Sequence, residues 1–248
     1  MKLCVAQTKP FKGDIEKNIA VHKELINLAI TNGAEMIIFP ELSITGYEPE
    51  LAATLATDHD DERFGIFQDI SNQNNITIGF GYPAKNDPGI SISMAIFEPG
   101  KTAKTYSKKY LHSSEEPFFT SGVHFTGLIG PQENIAPAIC YELSVPQHAE
   151  EAFQKGASIY IASVVEDTEG VERAIKKLSA IASRYSMIVL MANCTGPTGA
   201  YACGGKSSAW NNKGELRGQL DAHQEGILIY DTETQNTVST ILREELVK

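Results

Sequence analysis

The chain has 248 residues, of which 42% are hydrophobic and 21% charged, so it is long and apolar enough to bury a sizeable core. The 31 acidic and 21 basic residues give a net charge of −10, which disfavours a nucleic acid as partner because phosphate backbones are repelled. No apolar run approaches the ~20 residues that span a bilayer, and the N-terminal sequence turns polar too early for a secretory signal, so we expect a cytoplasmic protein without membrane attachment.

The first forty residues alternate between apolar strands and an amphipathic helix. Residues 2–8, KLCVAQT, predict a buried strand, and residues 14–33 predict a helix that Asp14 caps and Gly33 ends. A second strand is predicted at 34–41. Because these strands are apolar throughout, they imply a sheet that helices cover on at least one face.

The later elements repeat this alternation. Strands are predicted at 76–84, 91–99, 103–110, 135–142, 158–165 and 187–196, and helices at 62–75, 145–157 and 170–186. The sequence after about residue 205 predicts β-hairpins. No linker, composition break or repeat interrupts the chain, so we expect a single domain over residues 1–248.

Three predicted strands end at chemically useful side chains: Glu41 ends MIIFPE, Lys108 follows AKTYS, and Cys140 ends IAPAIC. Strand ends in α/β proteins converge on a shared crevice. There, a carboxylate can accept a thiol proton, the thiolate can attack a carbonyl or nitrile carbon, and an ammonium can stabilise the resulting oxyanion. Singly, each has a simpler interpretation: Cys140 as a packed apolar residue, Glu41 as a turn cap and Lys108 as part of a solvated lysine cluster.

Cysteine and histidine spacing predicts no metal site. Neither zinc nor a disulfide framework is expected from the four cysteines, Cys4, Cys140, Cys194 and Cys203. Of these, Cys194 is interpreted as a packing residue. Polar surface positions are the preferred interpretation for the six scattered histidines, His22, His59, His112, His124, His148 and His223.

The segments FPELSITGY, YSKKYL and ICYEL, in that order within the first 145 residues, resemble the signatures of the nitrilase superfamily, the carbon-nitrogen hydrolases. Downstream, KGASIYIAS, ASRYSMIVLMANCTG and GGKSSAWNNKGEL are similar to later segments of that family, so the resemblance runs nearly end to end. It implies an α/β fold, a four-layer α-β-β-α sandwich, with a Glu-Lys-Cys triad.

The resemblance also implies the role of each triad residue. Glu41 acts as general base, Lys108 stabilises the tetrahedral intermediate, and Cys140 is the nucleophile. The backbone N–H of Tyr141 completes the oxyanion hole. We expect Lys108 to lower the pKa of the thiol and Glu41 to raise it, which makes Glu41 a proton acceptor during attack.

Many members of the superfamily carry a further glutamate after the lysine, followed by two residues, two aromatic residues and a glycine. The segment EEPFFTSG fits this pattern best at Glu115, with Gly122 as the glycine. Glu116 is the near alternative. The resemblance therefore predicts that Glu115 joins the catalytic set, whereas Tyr47, Glu116 and Glu166 are expected to contact the substrate.

The chain departs from the family pattern at positions that bear on the substrate. Many relatives have an arginine shortly after the nucleophile and another before the lysine, but CYELSVPQ contains no arginine and Ser107 precedes Lys108. The segment SVVEDTEGVER lacks the tryptophan common there and offers Glu166, Asp167 and Glu169. One of these carboxylates would suit an amine-bearing amide, although a solvated acidic loop is the simpler interpretation.

The expected function is therefore cysteine-dependent hydrolysis of a small linear amide through a thioester, with release of ammonia or an amine. N-carbamoyl amine hydrolysis, nitrile hydrolysis and acyl transfer to an acceptor other than water are alternatives, and a catalytically silent binding protein is the alternative from another class. The resemblance implies no metal and no organic cofactor. It also implies a homodimer or higher homo-oligomer, with the C-terminal segment available for exchange.

Overall fold

Two β-sheets face each other, and helices cover both outer surfaces. The computed structural model describes residues 1–58, 60–122 and 127–242. The strands are β1 (Lys2–Gln7), β2 (Met36–Ile38), β3 (Thr77–Asn86), β4 (Gly89–Phe97), β5 (Lys104–Ser107), β6 (Ile135–Ile139), β7 (Ile159–Ser163), β8 (Ile188–Ala192), β9 (Thr195–Thr198), β10 (Tyr201–Gly204), β11 (Ser208–Trp210), β12 (Leu216–Gln219), β13 (Gly226–Asp231) and β14 (Thr237–Ile241).

The α-helices are α1 (Ile15–Thr31), α2 (Ala52–Leu55), α3 (Gly65–Asn74), α4 (Pro146–Gln154) and α5 (Thr168–Tyr185). Short 3₁₀ helices occur at Pro49–Leu51, Glu62–Phe64 and Cys140–Ser144. As predicted, the carboxylate of Asp14 caps α1 by accepting a hydrogen bond from the backbone N–H of Lys17. Gly33, with φ of +75°, lies just beyond the end of this helix.

Each sheet is built around three parallel strands. The first sheet has the order β14-β13-β1-β2-β3-β4-β5, with β1, β2 and β3 parallel. The second has the order β12-β11-β8-β7-β6, with β6, β7 and β8 parallel. The hairpin of β9 and β10 stands apart. Parallel strands end at the same edge of a sheet, and the chain leaves β2, β6 and β7 there with Glu41, Cys140 and Glu166 soon after.

Three apolar cores confirm the predicted four-layer order. The core between the sheets includes Leu3 and Met94 from the first sheet and Ile161 and Leu190 from the second, all completely buried or nearly so. A second core packs α1 and α3 on the outer face of the first sheet. A third packs α4 and α5 on the outer face of the second. The layers therefore follow the order α-β-β-α.

The predicted strand over 135–142 is shorter than expected. β6 ends at Ile139, and Cys140 begins a 3₁₀ turn with φ of +43°. The run of apolar residues did not show this bend because its geometry depends on a side chain two residues further on, Glu142. The hairpin of β9 and β10 was also not predicted.

His22 corrects the expectation of surface histidines. It is 1% exposed, and its ring stacks on Phe39 with centroids 4.0 Å apart. Nδ1 lies 2.6 Å from the carbonyl of Asn18, which can only accept, so Nδ1 donates and Nε2 accepts from the Ser43 hydroxyl at 2.9 Å. Burial lowers the pKa of His22 to about 3. The neutral ring thus joins α1 to the turn that carries Glu41.

The other histidines differ in their exposure to solvent. His112 and His223 are exposed, as expected, while His148 is largely buried. His59 and His124 lie outside the described residues. Within the described ranges, no helix has the length and apolar character needed to cross a membrane.

We predict that His22 makes stability fall on acidification. Because its folded-state pKa is depressed, the unfolded chain binds the additional proton, and this contribution is lost as the pH falls below about 6.5. Between pH 7 and pH 5, the wild type should lose about 2 kcal/mol more unfolding free energy than His22→Gln, measured by urea denaturation. Equal losses in the two proteins would contradict the assignment of a buried neutral ring.

Candidate active site

Lys108 occupies the centre of the cleft that the three strand ends form. It follows β5 and its side chain is completely buried. Nζ donates to Glu41 Oε1 and to Glu115 Oε1, each at 2.7 Å. Burial opposes the charged form, but Glu41, Cys140 and Glu115 outweigh it and hold the pKa of Lys108 above its usual value. The solvated lysine cluster, the simpler interpretation of this residue, is therefore wrong.

The two carboxylate oxygens of Glu41 differ in their hydrogen bonding. Oε1 accepts from Lys108, whereas Oε2 is buried and has no hydrogen-bond partner among the described residues. Burial raises the pKa of Glu41 to about 7, against the attraction of Lys108 and with the repulsion of Glu115. The nearby Cys140 thiol acts in the same direction as Lys108 and lowers this pKa. A carboxyl that titrates near neutrality and has a free acceptor atom can serve as a base.

Cys140 is held in a strained backbone conformation at the end of β6. Its φ of +43° is uncommon for a residue with a side chain. The thiol lies 3.8 Å from the carbonyl oxygen of Val165. Burial and the carboxylate of Glu41 raise the pKa of the thiol well above its usual value, although Lys108 acts in the opposite direction. The resting residue is therefore a protonated thiol that needs a base.

The structure distinguishes the two adjacent glutamates. Glu115 is buried: Oε1 accepts from Lys108 and from the Tyr47 hydroxyl at 3.1 Å, and Oε2 accepts from the backbone N–H of His112 at 2.8 Å. Glu116 is exposed and does not line the cavity. Of the two glutamates, the one that the pattern favoured, Glu115, therefore lies beside Lys108, and the predicted contact of Glu116 with substrate receives no support from its position.

The loop after Lys108 returns tightly to the strand that precedes it. The backbone N–H of Gly122 donates to the carbonyl of Lys108 at 2.9 Å. A Cβ atom at Gly122 would lie 2.1 Å from the Cβ of Ser107, so only glycine fits. Ser107, at the position where an arginine is common, is 2% exposed, and its hydroxyl lies 2.8 Å from that of Ser93.

The cleft encloses a cavity of about 260 Å³. This volume is slightly below the range of about 300–1,000 Å³ that is usual for ligand pockets, so it suits a small substrate. Its lining consists of Glu41, Tyr47, His112, Ser114, Glu115, Cys140, Tyr141, Ser144, Val165, Glu166, Asp167, Arg173 and Tyr201. The predicted residues Tyr47, Tyr141 and Glu166 therefore share one cavity with the thiol.

Glu142 supports the site in a way that the sequence analysis missed. It is completely buried, and Oε1 accepts from the backbone N–H of Lys109 at 2.7 Å, while Oε2 accepts from Ile139 N at 2.8 Å and from the Tyr106 hydroxyl at 2.6 Å. His148 Nε2 lies 2.8 Å from the same hydroxyl. One carboxylate thus fixes the residue after Lys108 and the residue before Cys140.

A disulfide between Cys194 and Cys203 corrects the expectation that the chain has none. Their spacing matches no disulfide motif, and only the hairpin of β9 and β10 brings the two sulfurs together. The hairpin contributes Tyr201, whose ring meets that of Tyr47 with centroids 5.5 Å apart. Cys194 therefore forms a covalent cross-link near the site. Its interpretation as only a packing residue was wrong.

No three His, Cys, Asp or Glu side chains in residues 1–58, 60–122 and 127–242 form a cluster suited to a metal ion.

Comparison with known proteins identifies the family. The carbon-nitrogen hydrolase family model matches residues 2–241. The chain belongs to the carbon-nitrogen hydrolase family. This confirms the resemblance to the nitrilase superfamily and supports the predicted enzyme class, a hydrolase of carbon–nitrogen bonds other than peptide bonds.

Curated relatives of this carbon-nitrogen hydrolase fall into two kinds. It is 29% identical over 126 residues to a glutamine-dependent NAD(+) synthetase of Acinetobacter baylyi, covering 49% of this chain and 23% of that protein. It is 24% identical over 164 residues to an (R)-stereoselective amidase of Pseudomonas sp., covering 65% and 59%. The chain thus spans less than two thirds of each relative's length.

Among solved structures, the carbon-nitrogen hydrolase is similar to an amidase from Nesterenkonia sp. AN1, with a TM-score of 0.83 and 19% identity over 92% of this chain and 89% of that one. That structure is a variant with the acetamide moiety of fluoroacetamide covalently added at the active site cysteine. The likeness confirms the predicted fold.

We predict that Glu142→Ala lowers the free energy of unfolding by about 3 kcal/mol, because a buried and a partly buried backbone N–H group and a tyrosine hydroxyl lose their acceptor. The control is Glu151→Ala, which removes an exposed ion pair with Lys109 and should change stability by less than about 1 kcal/mol. Urea denaturation measures both. Equal effects would contradict the structural role of Glu142.

We predict two reactive thiols in the unfolded, unreduced protein. Protein purified without reductant and denatured in iodoacetamide should be alkylated at the two free cysteines, Cys4 and Cys140, and at all four cysteines after reduction. Peptide mass spectrometry identifies the modified residues and the linked peptide pair. Alkylation of Cys194 and Cys203 without reduction would contradict the disulfide.

Proposed function

We propose that the protein hydrolyses a small linear carboxamide through a thioester on Cys140, with Glu41 as general base and Lys108 as stabiliser of the oxyanion. The observation that carries this proposal is the free Oε2 atom of Glu41, buried next to a protonated thiol in the same small cavity. A base with an unused acceptor beside a nucleophile that must lose a proton is the arrangement that thiol attack requires.

In the first half of the reaction, Glu41 Oε2 accepts the thiol proton as Sγ forms a bond to the amide carbon. The carbonyl oxygen becomes an oxyanion. Two N–H groups of Lys108 are taken by carboxylates, and the third has no partner in the described part of the chain, so it is available to this oxyanion together with the backbone N–H of Tyr141. Breaking the C–N bond returns the proton from Glu41 to the leaving nitrogen.

In the second half, water hydrolyses the thioester. Glu41, again a carboxylate, removes a proton from water as its oxygen bonds to the acyl carbon. The C–S bond then breaks, the sulfur recovers the proton, and a carboxylic acid leaves. Glu115 takes no proton in this sequence; its hydrogen bonds from Lys108, Tyr47 and His112 hold the ammonium in place.

The comparisons favour an amide over a nitrile or a carbamoyl amine. One relative is an amidase, and the structurally similar Nesterenkonia protein is an amidase with its cysteine as the site of covalent addition. The match to the NAD(+) synthetase, which is glutamine-dependent, is also compatible with an amide substrate. A catalytically silent binding protein would have no use for a buried base with a free acceptor atom.

We expect ammonia release from small primary amides by the wild type and a loss of more than about 10³-fold in Cys140→Ala, as nucleophile removal causes. Cys4→Ala is the matched control, since Cys4 is the other free cysteine and lies in β1. A panel of amides, carbamoyl amines and nitriles of equal chain length determines which bond is cut. Equal activity in Cys140→Ala would contradict the proposal.

The pH dependence of the same reaction tests Glu41. Because only the carboxylate can accept a proton, kcat/KM should rise with pH and level off above about 7, the pKa to which burial raises this group. Glu41→Gln should remove both the activity and the ascending limb. A profile that stays flat between pH 5 and pH 8 would exclude Glu41 as the base.

A further inference from the structure

Glu166 lies next to the nucleophile. It follows β7, and the carbonyl oxygen of the preceding residue, Val165, is the atom 3.8 Å from the Cys140 sulfur. Its side chain lines the cavity that contains the thiol, and its charge contributes to the raised pKa of Cys140. A substrate bound for attack at Cys140 therefore lies within reach of the Glu166 carboxylate.

The backbone of Glu166 is fixed on both sides. Its N–H donates to Asn193 Oδ1 at 3.0 Å, and its carbonyl accepts from Asn193 Nδ2 at 3.1 Å and from Gly204 N at 2.9 Å. The disulfide anchors β10, and Cys203 in that strand pairs with Asp167. These contacts fix the Glu166 backbone at the edge of the cavity.

The side chain is accommodated by a glycine in the first turn of α5. A Cβ atom at Gly170 would lie 2.0 Å from Glu166 Oε2, so any other residue there would displace the carboxylate. Asp167 has a separate task, since its carboxylate caps α5 by accepting from Gly170 N at 2.7 Å. Of the two neighbouring acids, only Glu166 has its oxygens available.

Among the described residues, the Glu166 carboxylate has no hydrogen-bond or ion-pair partner. It accepts no hydrogen bond and forms no ion pair with any other described residue, in contrast to Glu41 and Glu115, which share Lys108. It is only partly exposed, and burial raises its pKa. A partly buried anion without a partner is unfavourable in the free protein, and a bound cation would relieve that cost.

Arg173 is a cationic side chain that also lines the cavity, but it does not pair with the Glu166 carboxylate. Its side chain is 63% exposed, and its guanidinium lies 3.7 Å from Glu169 Oε2. Its charge lowers the pKa of Glu166, but it forms no hydrogen bond or ion pair with that carboxylate in the described part of the chain. Close to the thiol, the acids Glu41, Glu115 and Glu166 face a single lysine, so the interior of the cavity favours a positive ligand group and repels a negative one.

We propose that Glu166 binds an ammonium group of the substrate, so that the preferred substrates are primary amides with an amino group on a short acyl chain. This inference rests on the proposed amidase function and adds the substrate class. The amide carbon lies at Cys140, and the amino group extends along the cavity to the start of α5. Neither Asp167 nor Glu169 is the binding residue, since one caps the helix and the other does not line the cavity.

The test compares amides of equal size and different charge. Ammonia release is measured for 3-aminopropanamide, 4-aminobutanamide and 5-aminopentanamide, each against the neutral amide that has a methyl in place of the ammonium, and for succinamate as the anionic amide. The wild type should prefer the amino amide by about tenfold in kcat/KM at the chain length that fits, equivalent to one contact of ~1.4 kcal/mol. Succinamate should be the poorest substrate.

Glu166→Gln should abolish this preference, so that kcat/KM for each amino amide falls to the value that the same variant shows for the matched neutral amide, and the disadvantage of succinamate relative to the neutral amides should become smaller. Glu116→Gln is the matched control, because it removes the same charge from an exposed site near the cleft and should leave the preference unchanged. Thermal unfolding verifies that both variants are folded, and Glu166→Asp should restore part of the preference.

The outcomes separate the two proposals. Activity on neutral amides without preference for amino amides, or a preference that survives in Glu166→Gln, overturns the role of Glu166 and leaves the amidase function intact. Inactivity of the wild type on every amide, with activity on nitriles or carbamoyl amines, overturns the amidase function and this inference together.

Discussion

The buried ammonium of Lys108 is the constraint on which the site depends. Removing a charge of this kind from water costs several kcal/mol, so the fold must supply carboxylates at hydrogen-bond distance. Two are present, Glu41 and Glu115, each 2.7 Å from Nζ. Two negative charges then face one positive charge. Burial raises the pKa of Glu41 and of the Cys140 thiol, and the negative charge of Glu115 adds to this effect, so the buried cluster around the lysine holds a neutral thiol beside a base that titrates near pH 7.

Side chains that bind backbone groups hold the cleft in shape. Glu142 links the chain after Lys108 to the chain before Cys140, which fixes the distance between two strand ends from different sheets. Asn193, which follows β8, fixes Glu166 in a similar way, because its side-chain amide binds both the N–H and the carbonyl of that residue. In each case a single side chain binds at least two backbone groups, and this is enough to position the neighbouring Lys108, Cys140 or Glu166. This explains why the reactive residues lie in turns and yet have defined positions.

The sequence predicted the parts of the molecule that depend on local patterns. The apolar strands and amphipathic helices predicted the alternation of strands with helices. The positions of Glu41, Lys108 and Cys140 at strand ends predicted that these three residues share a cleft. His22 was missed although a signal existed: it lies seven residues after Ile15 and four before Ile26, on the buried stripe of α1. Glu142 and the disulfide gave no comparable signal, because their partners are distant in sequence or are brought together only by an unpredicted hairpin.

The tight return of the chain at Gly122 bears on how specificity can evolve in this fold. A Cβ atom at position 122 would lie 2.1 Å from the Cβ of residue 107. Because all residues except glycine have a Cβ, replacing Ser107 by another residue with a side chain would not make room for one at position 122. The other end of the loop is tied down by the ion pair of Glu115. Between these fixed points, Glu116, Pro117 and Phe118 are exposed. Substitutions at these three positions can therefore change the outer surface of the loop without disturbing the ion pairs beneath it.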